Sequence, residues 1–138
     1  MNIKWGSRWK DKHELSSLVG ETIKSVSGLE VRDDLDNDEV IFVTESGKAL
    51  KLYHDQDCCE HVRMIDIELD ADDFSGAVVL SAEEVVGETM DDDYGTRTYT
   101  FYKIETTKGG IWMRWLGESN GYYSESVHIL TGAMESEQ

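Results

Sequence analysis

The hydrophobic and polar positions alternate with a period of two along most of this chain, a pattern that predicts β-strands. Leu50 and Leu52, for example, alternate with Lys51 and Tyr53, as in a strand with one face in water. Similar short runs recur about every ten residues between turn signals. These predicted strands cover residues 22–31, 39–45, 48–54, 62–69, 77–86, 97–107, 110–116 and 124–130.

The segments between these runs predict the turns and the few helices. Ser46-Gly47 and Lys108-Gly109 each separate two strands and predict hairpins. Residues 14–20 predict a short helix closed by its final glycine, and residues 70–76 predict one helical turn capped by its first aspartate. Residues 87–95 predict a solvated loop. The expected fold is therefore mainly β: a small antiparallel barrel or sandwich of seven or eight short strands with one or two short helices.

The charge pattern divides the 138-residue chain, which we expect to form a single domain, 1–138, into three parts. Residues 1–13 carry four cations against one carboxylate and form a basic, aromatic N-terminal arm. Within it, Trp5 and Trp9 are four apart, as on one face of a helix. Residues 14–132 form an acidic β body, and residues 133–138 a short polar tail that we expect to be frayed.

The net charge of −16 narrows the classes of partner. A surface this acidic repels nucleic acid and anionic membranes, so we expect no direct binding to either. It attracts cations and basic protein surfaces. No apolar run is long enough for a membrane helix, and the N-terminus lacks the apolar core of a secretory signal, so we expect a cytoplasmic protein. The adjacent Cys58 and Cys59 are expected to be reduced.

The first segment with candidate chemistry is Tyr53–His61, YHDQDCCEH, at the end of a predicted strand. Thiolates, imidazoles and carboxylates are zinc ligands, but adjacent cysteines do not easily serve one ion. A cysteine beside a histidine is alternatively an activated nucleophile. A structural or binding turn is the favoured interpretation. The residues of the alternative metal site are His54, Asp57, Cys58 and His61.

The second segment is Trp115–Glu125, WLGESNGYYSE, in which an Asn-Gly turn is flanked by aromatic and hydroxyl side chains. A hairpin turn that packs its aromatic rings over the end of the fold is the favoured interpretation. The alternative is a pocket for a nucleotide-like ligand, with arginines binding phosphate. Its residues are Arg97, Arg114, Glu118, Asn120, Tyr122 and Tyr123.

A third segment, Asp34–Glu45, partly resembles the ligand spacing of an EF-hand loop. Glu39 stands where that loop needs glycine, and the residues that follow, Val40–Thr44, predict a strand instead of a helix. Both features argue against a calcium site.

The acidic clusters are the fourth candidate. Carboxylates on a rigid β scaffold can imitate an array of phosphates and bind a basic channel that normally holds nucleic acid. The alternative is a solvated face that only keeps the protein soluble. The expected partner-binding residues are Asp33, Asp34, Asp36, Asp38, Asp72, Asp73, Glu83, Glu84, Asp91, Asp92 and Asp93. The sequence has no phosphate-binding glycine loop and no hydrolase or metalloprotease motif, which favours binding over catalysis.

Three motifs carry a resemblance to a family of small uncharacterised proteins of bacteriophages and bacterial genomes. They are the YHDQDCCE segment, the Ile65–Ile67 strand leading to Phe74-Ser75-Gly76, and the WLGESNGYYSE segment, and the resemblance extends from Leu18 to Val127. It implies a phage or prophage accessory protein, and many small acidic proteins of that setting block host defences.

These observations lead to one expected function and two alternatives. We expect a non-enzymatic inhibitor of host defence without a cofactor, whose acidic surface mimics nucleic acid and binds a nucleic-acid-handling host protein. The alternatives are a module that binds or sequesters a nucleotide-like ligand, and a metal-binding domain. The oligomeric state is left open.

Overall fold

The computed structural model describes residues 2–31, 38–56, 59–92, 95–121 and 123–135. Within these residues the chain forms ten β-strands, numbered here in chain order, and one short 3₁₀ helix at Leu15–Leu18. The first sheet consists of β1 (Ile3–Trp5), β2 (Ile23–Ser27), β3 (Val40–Thr44), β4 (Lys48–Tyr53) and β10 (His128–Met134). The second consists of β5 (His61–Leu69), β6 (Val79–Val86), β7 (Met90–Asp92), β8 (Gly95–Thr106) and β9 (Gly109–Ser119).

Both sheets are antiparallel, and they are stacked as a sandwich. The strand order is β1-β10-β4-β3-β2 in the first sheet and β5-β9-β8-β6 in the second, where β7 also pairs with β8. The mainly β prediction is confirmed. Of the two predicted architectures, the sandwich is the one found, because neither sheet closes on itself. The described chain has more strands than the seven or eight predicted.

The core between the sheets follows from the alternation along each strand. On β8, Tyr102 and Ile104 point inward and are almost fully buried, whereas Phe101 and Lys103 point outward. One cluster of buried apolar side chains takes residues from both sheets, including Phe42 from β3. Because successive strand side chains point to opposite faces, each strand supplies the core from every second position.

The predicted hairpins are confirmed. Gly47, between β3 and β4, and Gly109, between β8 and β9, both have positive φ, a conformation that glycine adopts without strain. The expected helix at residues 14–20 is present as Leu15–Leu18, with both leucines buried, and Gly20 follows it with φ of +85°. The prediction of a helical turn at residues 70–76 is wrong. That segment forms turns instead, with Phe74 buried in the core.

The N-terminal arm lies on the first sheet. Ile3–Trp5 pairs with β10 as an edge strand, so the expectation that Trp5 and Trp9 share a helical face is wrong. His13 fixes the next part of the arm, because its Nδ1 accepts the Thr131 N–H (2.9 Å) and its Nε2 donates to the Ser7 carbonyl (2.7 Å). The pairing of β1 with β10 extends β10 to Met134, beyond the predicted end of the body at residue 132. Residues 136–138 of the expected frayed tail lie outside the described residues.

Substitutions at neighbouring positions of β8 test the burial pattern. Ile104→Ala should lower the free energy of unfolding by about 2–5 kcal/mol, because it leaves a cavity between the sheets. Phe101→Ala, the matched control on the outer face, should cost less than about 1 kcal/mol. Urea unfolding followed by tryptophan fluorescence measures both. Equal losses would contradict the assignment of the two faces.

Candidate functional site

A cluster of histidines and charged side chains lies at one end of the first sheet, where three distant segments meet. The N-terminal arm contributes Arg8, the segment after β4 contributes His54 and Asp55, and the start of β10 contributes His128. Glu60, immediately before β5, completes the group. We call these five residues the histidine cluster. Antiparallel pairing of β4 with β10 sets His128 opposite Tyr53, next to His54.

His54 and Glu60 form a buried pair at the base of this cluster. Their side chains are 2% and 1% exposed, and His54 Nε2 lies 3.2 Å from a Glu60 carboxylate oxygen, off the line of a hydrogen bond. His54 Nδ1 is 2.7 Å from the Ser126 carbonyl oxygen, which only accepts, so Nδ1 carries a proton. The imidazole ring of His54 and the Glu60 carboxylate are thus packed side by side in the interior.

His128 stacks on His54, with ring centroids 5.0 Å apart. Burial, and then the neighbouring Arg8 and His54, lower the pKa of His128 from 6.5 to about 4, so the ring is neutral at pH 7. The Asp55 backbone N–H approaches Nδ1 at 3.1 Å, and the Arg8 guanidinium approaches Nε2 at 2.9 Å. Both are donors, but a neutral imidazole has only one nitrogen that accepts. One of these two contacts is therefore between two donors.

Arg8 closes the cluster on the side facing solvent. Its guanidinium lies 2.6 Å from Asp55 Oδ2 and 4.6 Å from the centroid of the Trp9 ring. Trp9 itself is 84% exposed. A cavity of about 310 Å³ adjoins the guanidinium, and its walls are Arg8, Trp9, Asp55, Gln56, Glu60, Ser124 and His128. The N-terminal arm thus supplies one wall of a polar cavity.

The segment Trp115–Glu125 is built around a buried carboxylate. Glu125 is 9% exposed and accepts hydrogen bonds from Ser119 Oγ (2.5 Å), Thr98 Oγ1 (2.9 Å) and the Thr96 hydroxyl. A side chain at Gly117 would overlap the Glu125 backbone, so glycine is required for this close approach. These contacts fix the segment against β8 and β9.

The structure describes five of the six residues of the predicted ligand pocket. Arg97 and Glu118 are opposite each other on β8 and β9, and Glu118 pairs with Arg63 at 3.0 Å. Arg114 lies further along β9, 3.8 Å from Asp66, and lines a separate cavity of about 340 Å³ beside Phe101 and Trp112. Asn120 and Tyr123 line neither cavity, and Tyr122 lies outside the described residues.

The predicted partner-binding carboxylates differ in exposure. Asp72, Asp73, Glu83, Glu84 and Asp91 are exposed. Asp73 accepts the Ser75 N–H, and Glu84 accepts the Tyr102 hydroxyl at 2.6 Å. That bond and burial raise the pKa of Tyr102.

Asp38 is buried and accepts the Met64 N–H at 2.9 Å, so it does not belong to the exposed surface. Asp33, Asp34, Asp36, Asp93 and the side chain of Asp92 lie outside what the structure describes, as does most of the EF-hand-like segment.

Two members of the alternative metal site, Asp57 and Cys58, also lie outside the described residues. The other two are engaged elsewhere: His54 with Glu60 and Ser126, and His61 with Arg63 at 3.0 Å. Among the described residues, no group of three potential ligands is placed to hold a metal ion. Reduced cysteines were predicted, and this is wrong for Cys59, which is disulfide-bonded.

Two antiparallel sheets around one apolar core, with a polar cluster at one end, define a small β-sandwich protein. The model of a family described as a domain of unknown function, DUF7448, matches residues 16–129, and the chain belongs to this family. No curated protein and no solved structure matches the chain. The matched region includes His54, Glu60 and His128 but excludes Arg8 and Trp9. No helix in the described ranges is long and apolar enough to cross a membrane.

The sequence pattern indicated the segment around His54 but not the residues that His54 contacts. Arg8 and His128 are 120 positions apart, and no local pattern links them. The basic character of residues 1–13, opposite in sign to the body, was the one signal that the arm binds the body.

The pH dependence of stability tests the environment of His128. Its pKa is lower in the folded chain than in the unfolded chain, so between pH 6.5 and 4 the unfolded state binds more protons. This contribution to stability is complete above pH 6.5 and is lost as the pH falls towards 4. His128→Asn keeps an acceptor for the Asp55 N–H and removes the titration, so its melting temperature should fall less over this range than that of the wild type. If calorimetry shows the same change of melting temperature with pH in both proteins, the lowered pKa of His128 is contradicted.

Proposed function

We propose that this chain is a non-enzymatic binding protein that uses its acidic surface to engage a basic, nucleic-acid-handling partner protein, imitating nucleic-acid phosphates. The observation that carries the proposal is the placement of the exposed carboxylates. Glu68 lies at the end of β5, and Asp70, Asp72 and Asp73 follow it. Glu83 and Glu84 lie on β6, Asp91 lies on β7, and Glu88 lies between these two strands. Within the described ranges, none of these eight forms an ion pair.

Many of the cations are used inside the protein. Arg8 pairs with Asp55, and Arg63 with Glu118. Lys48 and Lys51 pair with Glu21 and Glu39 on the first sheet. Lys103 lies opposite Glu83 and Lys108 lies near Asp73, but neither forms an ion pair with these carboxylates in the described chain. Those on β5, β6 and β7 are presented by a rigid sheet at low entropic cost. Long-range attraction to a basic surface then speeds association.

The histidine cluster supports binding over catalysis. The side chains of His54 and Glu60, the buried acid–base pair of the cluster, are only 2% and 1% exposed, so they are poorly placed to exchange a proton with a substrate. The resemblance to small phage and prophage proteins supports a cytoplasmic setting in an infected host, where such a surface would inhibit a defence protein.

Charge reversal at matched positions tests this function. One variant carries Asp72→Lys, Glu83→Lys and Glu88→Lys. The control variant carries Glu30→Lys, Glu45→Lys and Glu135→Lys, which changes the net charge equally at exposed positions elsewhere. Wild-type protein on a column should capture a nucleic-acid-handling protein that added salt or duplex DNA or RNA releases. The cluster variant should weaken this binding at least about tenfold, and the control variant much less.

Three results would contradict the proposal. They are binding that added salt does not weaken, capture that nucleic acid does not compete with, and equal loss in the two triple variants. The last result would mean that only total charge matters and that the two clusters do not form a defined surface.

A further inference from the structure

Arg8 is a cation that the protein binds with its own side chains. The guanidinium contacts Asp55 at 2.6 Å, His128 at 2.9 Å and the face of Trp9 at 4.6 Å. A carboxylate together with an aromatic face is the usual protein environment for an arginine side chain. The contact joins the arm to the body across 47 positions of sequence.

The contact between Arg8 and the body is weakly held. The two side chains of the Arg8–Asp55 ion pair are 27% and 62% exposed, and ion pairs this accessible to water contribute little to stability. The contact with His128 contributes less to holding Arg8 than its 2.9 Å distance suggests. The Asp55 N–H and the Arg8 N–H approach different nitrogens of the His128 ring, and only one nitrogen of a neutral ring accepts a hydrogen bond. A second guanidinium can therefore replace Arg8 at small cost.

The cavity beside Arg8 is suited to a cation. Its walls include Asp55, Gln56, Glu60, Ser124 and Trp9. Arg8 is the cation of that wall, and Asp55 already balances its charge. The field of a chain with net charge −16 repels an anionic ligand and attracts a cation.

We propose that Arg8 occupies this site as an internal substitute for an arginine of the basic partner, and that the partner's arginine displaces it and takes over Asp55 and Trp9. The inference rests on the proposed function and names the chemistry that the partner presents there. A guanidinium fits better than an ammonium, because its planar fork donates to Asp55 while its face stacks on the indole. Binding at this site displaces the Arg8 side chain alone, so that Trp9 stays in place and stacks on the incoming guanidinium.

Chemical rescue tests the site without knowledge of the partner. Arg8→Ala empties the position, and ethylguanidinium at millimolar concentration is the probe. Because a ligand that binds the folded state raises its stability, ethylguanidinium should raise the melting temperature of Arg8→Ala by about 3 °C. Ethylurea, neutral and similar in shape, should raise it much less. In the double variant Arg8→Ala/Asp55→Asn, ethylguanidinium should have no stabilising effect.

Equal effects of the two compounds, or rescue that persists in the double variant, would overturn the proposal. If Arg8→Ala does not fold, Arg8→Lys replaces it with the same expectations, since lysine lacks the planar fork.

These results separate the two proposals. Chemical rescue in Arg8→Ala does not involve the partner, so it succeeds or fails independently of the column experiment. Rescue without a salt-sensitive partner would retain the guanidinium site and reject the proposed function. A salt-sensitive partner without rescue would retain the function and reject this site.

Discussion

A carboxylate removed from water costs free energy unless partners neutralise or hydrogen-bond it, and the described part of this sandwich contains three such carboxylates. Asp38, just before β3, accepts the Met64 N–H of β5 and so links the two sheets. Glu60, between β4 and β5, pairs with His54. Glu125, between β9 and β10, binds hydroxyls of β8 and β9. The two glutamates lie where the chain passes from one sheet to the other, and all three depend on the structure around them.

The same constraint separates the acidic residues into two groups. The buried carboxylates hold the sheets in place and are unavailable to a partner. The exposed ones after β5 and along β6–β7 form no ion pair within the described chain, so their charge acts on the surrounding solution. In the N-terminal arm, by contrast, the charge of Arg8 is neutralised within the protein, because Arg8 forms an ion pair with Asp55 of the body. The acidity of the chain is therefore a property of defined surfaces, which a partner can recognise.

The sequence predicted the parts of the fold that local patterns encode. Period-two alternation identified most strands, and Ser46-Gly47 and Lys108-Gly109 marked two hairpins. The strands that it missed, Ile3–Trp5 and Met90–Asp92, are only three residues long and exist because a distant or neighbouring strand pairs with them. A segment that short carries too little periodicity to be recognised.

The candidate site was predictable only in part, for the same reason. His54 stood out because of its unusual neighbours, but the histidine cluster depends on the pairing of β4 with β10 and on the docking of the arm. Composition also gave no means of distinguishing Asp38 or Glu125 from the exposed acidic residues around them. Burial is a property of the tertiary structure. A single sequence shows which residues are acidic, but not which of them are buried beside hydrogen-bond donors.

The most direct test of this division is the free energy of unfolding of single alanine variants at acidic positions. Asp38→Ala, Glu60→Ala and Glu125→Ala should each lose about 2 kcal/mol or more, since each leaves buried donors or a buried charge without a partner. Asp72→Ala and Glu83→Ala should change stability by less than about 0.5 kcal/mol. Comparable losses in the two groups, or stable variants at the buried positions, would contradict the account.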